Sequence, residues 1–239
     1  MLSLINDKAD DPLGSMMLDY YSGDLEAYVE VQSDNLEMST MPGATMFRKY
    51  SQMTRLEQYA LELCRGKTLD VGAGSGCHSL HLQGLGLDVD ALDISMGCIE
   101  VMRKRGVDNP IHKNVFTFNE RKYVTILMLM NGLGICGTLD GLNLFLQLAK
   151  TLLMEEGQII ADSTDLNALL EPGESWKPSE NYYGETDLVM RYRNAVSRPF
   201  HWLYIDYGTL YDLATFNGYC CEQLMRAGDG QYLVRMYPH

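Results

Sequence analysis

Three glycines at alternate positions, Gly72, Gly74 and Gly76, stand between two aspartates, Asp70 and Asp93, and these are the residues whose types and spacing could act together. Glycines at that interval remove side chains where the backbone must turn tightly beside a ligand. The dinucleotide fingerprint does not fit, because Cys77 stands where its third glycine would be. Asp70, just before the loop, would sit badly beside a pyrophosphate and suits a ligand whose near end carries an ammonium and a sulfonium. Asp93 is placed to accept two ribose hydroxyls. The chemistry implied is the binding of an adenosine cofactor with a cationic end.

Such residues work only if regular elements hold them. Thr68 to Val71 is a short apolar, β-branched run that reads as a strand; Cys77 to Gln83 continues as a helix stopped by Gly84 and Gly86, and Leu87 to Asp93 supplies the next strand. Ser95 caps a helix reaching about Arg105, with Cys98, Ile99 and Met102 inward, and Ile111 to Val115 reads as the third strand. Tyr123 to Met130 is apolar without alternation, as a central parallel strand must be. Leu139 to Leu153 is a helix, Gln158 to Asp162 a fifth strand, and Thr209 to Asn217 the last helix. Tyr219 to Met225 and Gln231 to Tyr237 flank Ala227-Gly228-Asp229-Gly230, a hairpin signal.

Leu69-Asp70-Val71-Gly72-Ala73-Gly74-Ser75-Gly76, followed by Ala91-Leu92-Asp93-Ile94-Ser95, resembles the cofactor motifs of the class I S-adenosylmethionine-dependent methyltransferases. The resemblance covers about residues 55 to 163 and extends to the C-terminal part by pattern. It implies an α/β, Rossmann-like seven-stranded sheet of order 3-2-1-4-5-7-6, strand 7 antiparallel, with helices on both faces, an N-terminal cap and a β-hairpin insertion after strand 5. It further implies S-adenosyl-L-methionine as cofactor and S-adenosyl-L-homocysteine as product. The cofactor-binding residues would be Asp70, Gly72, Ala73, Gly74, Gly76, Asp93, Ile94, Asn114, Val115 and Asn131. Asn114 stands where the family often has an aspartate for the adenine amino group, and its side-chain carbonyl can accept the same bond. Arg48 is a basic side chain available for the cofactor's carboxylate; the competing reading is a solvated charge.

Length and charge bound the rest. The 239 residues suit one domain, divided here into a cap (1–52) and a methyltransferase domain (53–239) that contains a lid insertion (164–206). Within the cap, Asp10 to Tyr21 reads as a helix and Tyr28 to Gln32 as a short strand; Thr54 and Glu57 form a capping box opening a helix. A net charge of −13 repels phosphate backbones and disfavours a nucleic-acid substrate. The absence of a long apolar run or a signal peptide gives a cytoplasmic protein with no membrane segment. The six scattered cysteines read as reduced thiols, and no metal site is expected. Oligomeric state is not legible.

Methyl transfer needs alignment and exclusion of water, and a base only for some acceptors. The candidate bases are Asp162, Asp165 and His201. Asn131, closing the fourth strand, is a candidate both for the substrate and for the turn. The insertion opens with Glu171-Pro172-Gly173, and Asp187 to Arg193 and Phe200 to Asp206 read as strands around Ser197-Arg198-Pro199. Its aromatics, among them Trp176, Tyr182, Tyr183, Tyr192, Trp202, Tyr204 and Tyr207, suit a lid over a small, partly apolar acceptor, with Trp202 or Tyr204 among its walls; the competing reading is that they only pack the hairpin onto the sheet. Competing functions are a non-catalytic cofactor-binding protein, a protein methyltransferase and a nicotinamide-dependent oxidoreductase.

Overall fold

The computed structural model describes residues 3–34, 36–170 and 181–239. Glu171-Pro172-Gly173 and Trp176 lie outside the described residues. Among those described, the chain forms two sheets and separates into two compact units.

The first unit comprises Met1–Met53, Lys67–Phe118 and Asp187–Phe200. Helix α1 (Pro12–Tyr21) starts at Asp11, whose carboxylate caps it, with proline at the first helical position. Strands β1 (Tyr28–Ser33) and β2 (Ser39–Pro42) pair antiparallel and lead into α2 (Gly43–Met46). The cofactor-motif region follows as β3 (Thr68–Val71), α4 (Cys77–Gly84), β4 (Val89–Asp93), α5 (Met96–Arg105) and β5 (Asn109–His112), after α3 (Arg55–Glu62) of the other unit. Strands β3, β4 and β5 run parallel, and β3 and β4 are buried along their whole lengths.

The second unit comprises Thr54–Gly66, Asn119–Thr186 and His201–His239. Helix α3 opens with the expected capping box, Thr54 and Glu57 each bonding the other's backbone N–H. Strand β6 (Tyr123–Met128) is followed by α6 (Leu139–Leu152) and by β7 (Leu153–Thr164), which runs parallel to β6. The insertion supplies β8 (Glu185–Tyr192) and β9 (Ala195–Val196), which fall chiefly in the first unit, and β10 (Phe200–Leu203). Helix α7 (Tyr207–Phe216) and the antiparallel pair β11 (Tyr219–Arg226) and β12 (Gln231–Pro238) end the chain. The main sheet has the order β5-β4-β3-β6-β7-β12-β11, with β12 antiparallel to β7, which is the predicted seven-stranded Rossmann-like topology. Among the described residues no helix is long and apolar enough to cross a membrane.

Two local expectations are corrected. The third strand is Asn109–His112 rather than Ile111 to Val115. As an edge strand it tolerates Pro110, and the Asn114 side chain then accepts the Phe116 N–H at 2.9 Å and turns Val115–Thr117 into a 3-10 turn. The insertion does contain a hairpin, but its turn is Arg193-Asn194, between Tyr192 and Ala195, not Ser197 to Pro199. Arg193 takes the left-handed conformation there (φ 51°), for which an arginine gives no sequence signal.

The second sheet, β2-β1-β8-β10 with β9 on β8, joins the cap to the insertion. Val31 pairs with Met190 and Ser33 with Leu188, so β8 is an inner strand of this sheet rather than an arm of an isolated hairpin.

Candidate functional site

The glycine loop takes its shape from its backbone. Gly72, Gly74 and Gly76 all have positive φ (72°, 56° and 77°), and Gly76 caps α4 from the left-handed region. The loop is pinned to the next strand by the Gly72 and Ala73 N–H groups, both donating to the Leu92 carbonyl at 2.8 and 3.1 Å. A Cβ on Gly76 would lie 2.6 Å from Val107 Cγ2, so that position is closed by packing. A Cβ on Gly74 would meet only Met17 Cε at 3.4 Å and Gly72 O at 4.0 Å, so this is where the loop leaves room. Gly76→Ala is expected to cost about 2 kcal/mol from overpacking and left-handed strain. Urea unfolding measures it, and an unchanged midpoint would contradict the packing account.

Asp93 and the loop meet directly. Asp93 Oδ2 accepts the Gly74 N–H at 2.9 Å and Oδ1 accepts the Ser95 N–H at 2.9 Å. Burial pushes the Asp93 pKa up to about 6; the Ser95 and Gly74 N–H groups oppose the rise and the Asp11 carboxylate adds to it. Each oxygen accepts one backbone bond and keeps capacity for a hydroxyl donor. Asp70 lies deeper, 2 % exposed, with Oδ2 accepting from Ser79 Oγ at 2.6 Å. Burial raises its pKa, partly offset by His78 and Ser79. The Ile94 carbonyl takes the Ile5 N–H and faces His112 Nε2 at 2.7 Å, while Asn114 is half-buried and Val115 buried. Arg48 is half-buried rather than fully solvated.

Sequence reasoning missed the cap residues that hold this loop. Ser75 Oγ donates to the Met46 carbonyl, and Arg105 donates to Ser75 O at 2.8 Å while its guanidinium lies 4.7 Å over the Phe47 ring. Tyr50 stacks on His81 of α4 at 4.2 Å. Asp11 accepts from Gly14, Ser95 and Gly97. Asp11-Pro12 was the available signal, since an aspartate before proline marks a helix start.

The second unit holds the remaining predicted residues. Asp162 is fully buried, Oδ1 accepting the Gly132 N–H at 2.9 Å and Oδ2 accepting Gln231 Nε2 at 3.0 Å. Asn131 has φ 57° directly after Met130 at 66°, and its Nδ2 donates to the Leu203 carbonyl at 3.1 Å. Two successive non-glycine residues in the left-handed region strain the end of β6. His201 is exposed, whereas Tyr204 is half-buried. Trp202 is half-buried over Gly134, where a Cβ would meet its Cζ2 at 2.7 Å. Among the insertion's aromatics, Tyr182 donates to Asp206 Oδ2 at 2.7 Å, and in the first unit Tyr192 donates to Asp19 Oδ2 at 2.9 Å.

A sheet of this order with a glycine turn after its first strand defines the class I methyltransferase fold. Residues 45–130 match the family model of the tellurite resistance protein TehB. A crystal structure of an S-adenosylmethionine-dependent methyltransferase from Bacteroides fragilis, in complex with S-adenosyl-L-homocysteine, is 40% identical over 98% of this chain and 97% of that one, with a TM-score of 0.90. The CcbJ methyltransferase from Streptomyces caelestis (13% identity, 80% and 99% coverage, TM-score 0.59) and the PH0226 protein from Pyrococcus horikoshii (19%, 77% and 88%, 0.59) share the fold. No functionally curated protein matches the sequence. The chain belongs to the S-adenosylmethionine-dependent methyltransferases.

Proposed function

We propose that this methyltransferase binds S-adenosyl-L-methionine at Gly72–Gly76 and Asp93 and transfers its methyl group to a small, partly apolar acceptor. The cofactor reading is carried by one observation, the open side of Gly74 beside the Asp93 carboxylate that its own N–H orients. Asp93 would hold the ribose hydroxyls, and Asn114 and Val115 would border the adenine. Asp70, buried beneath the loop, would lie toward the cationic end. When bound, the cofactor supplies an electrophilic methyl on a sulfonium. The chain's own part is to orient and to keep water out, because the positive charge disappears in the transition state.

The acceptor would lie against Trp202 of β10 and Tyr204 just beyond it. Two observations support this: the net charge of −13 disfavours polyanions, and both aromatic side chains are half-buried. Asp162, His201 and Asn131 are the residues to test for proton transfer and acceptor binding.

Calorimetry with S-adenosyl-L-homocysteine and with NADH tests the cofactor reading; the first is expected to bind and the second not to. Turnover of methyl-labelled S-adenosyl-L-methionine against a metabolite panel then tests the acceptor. Label transfer only to protein would overturn the small-molecule reading, and tight cofactor binding without any transfer would make the chain a non-catalytic binder.

A further inference from the structure

We propose that Asp11, which lies outside the cofactor site, is a positioning residue for Asp93: through Ser95 it fixes the carboxylate that receives the ribose, and through its charge it sets the acid limit of cofactor binding. The inference rests on the reading of Asp93 given above.

A carboxylate that merely capped α1 would need only its bond to the Gly14 N–H, 2.9 Å from Oδ1. Asp11 does more, because Oδ2 also accepts from Ser95 Oγ at 2.6 Å and from the Gly97 N–H at 3.1 Å. It therefore serves the first turns of two helices, α1 and α5, whose positive ends both favour a buried anion. Ser95 stands between two carboxylates, giving its N–H to Asp93 Oδ1 at 2.9 Å and its hydroxyl to Asp11. It cannot shift without loosening both bonds. The residues on either side of Ser95 are stitched to the same N-terminal segment, Ile5 N–H donating to Ile94 O at 2.8 Å and Met96 N–H to Ile5 O at 2.9 Å. The approach requires glycine on both helices: a Cβ on Gly97 would lie 2.7 Å from Gly14 Cα and 2.8 Å from Asp11 Oδ2.

Among the described residues, the titratable groups around Asp93 are Asp11 before α1, Asp70 on β3, Cys98 on α5, and His112 and Lys113 at the end of β5. Burial and the two carboxylates hold the Cys98 thiol neutral, well above its usual range. Asp11 is the anion that pushes Asp93 upward, and it acts in the same direction as burial. Ribose hydroxyls donate to the ionised carboxylate, so affinity is full above the Asp93 pKa and falls as pH drops through about 6. Removing the Asp11 charge lowers the Asp93 pKa and moves that acid limb to lower pH.

The test is calorimetric titration of S-adenosyl-L-homocysteine into the wild type, Asp11→Asn, Asp11→Ala, Ser95→Ala and Asp93→Asn from about pH 5 to about pH 8, with thermal melts as the folding control. Asp11→Ala is expected to weaken binding at neutral pH about tenfold or more, and Ser95→Ala severalfold. Asp11→Asn is expected to bind more weakly at neutral pH but to keep binding at lower pH than the wild type does. A purely structural Asp11 would lower affinity equally at every pH and leave the acid limb in place, and that result overturns the proposal. If the Asp11 variants do not fold, Ser95→Ala decides, and wild-type affinity in that variant is equally fatal. Wild-type behaviour of Asp93→Asn, acid limb included, would instead remove the ribose role of Asp93, a failure of the underlying reading.

Discussion

Asp93→Ala is expected to weaken S-adenosyl-L-homocysteine binding by about 100-fold or more, since two hydrogen bonds to a charged acceptor contribute roughly 1.5 to 3 kcal/mol each. The effect has a second source in this chain. The same carboxylate accepts the Gly74 and Ser95 N–H groups, so its removal releases the glycine loop and the first turn of α5 together. Asp93→Asn keeps one acceptor oxygen and should fall between the variant and the wild type. Calorimetry on folded protein reads both, and binding of Asp93→Ala within about threefold of the wild type would remove Asp93 from the cofactor site.

The second large effect is expected at Asp162, on stability. The side chain is fully buried and both oxygens accept, one from the Gly132 N–H and the other from Gln231 Nε2. Asp162→Ala leaves those donors without their acceptor and should cost about 3 kcal/mol or more. Asp162→Asn keeps an acceptor for one of them and should stay folded, which makes it the variant for the chemistry. We expect it to retain methyl transfer, because a base must reach the acceptor's proton and Asp162 is fully buried, where its oxygens hold the loop after β6 and the start of β12. A folded Asp162→Asn that binds cofactor but transfers nothing would make Asp162 the base after all.

The strands of the main sheet and the glycine loop were legible in the sequence itself because each rests on local information, whereas the sheet order came only with the resemblance to the class I methyltransferases. The unbroken apolar run of Tyr123–Met128 can only be a strand covered on both faces, and glycines at positions 72, 74 and 76 are needed where φ is positive. Asp93 was legible for the same reason, standing at the end of a short strand after a fixed interval.

Tertiary structure alone decided what meets these elements. Strand β8 is held between β1 and β10, a pairing across some 160 residues that strand-forming residues cannot encode, since any such strand presents the same backbone donors and acceptors. Exchanging residues 187–206 for a linker would therefore strip an inner strand from the sheet rather than open a lid. The turn at Arg193 was hidden because the surrounding pairing, not a glycine, imposes its left-handed backbone. Gly14 and Gly97 look like ordinary helix positions in the sequence, yet they let two helix ends close on one carboxylate. Asp11 could be read only as a helix cap. That its carboxylate also reaches Ser95 and Gly97 depends on long-range packing, which a single sequence does not record.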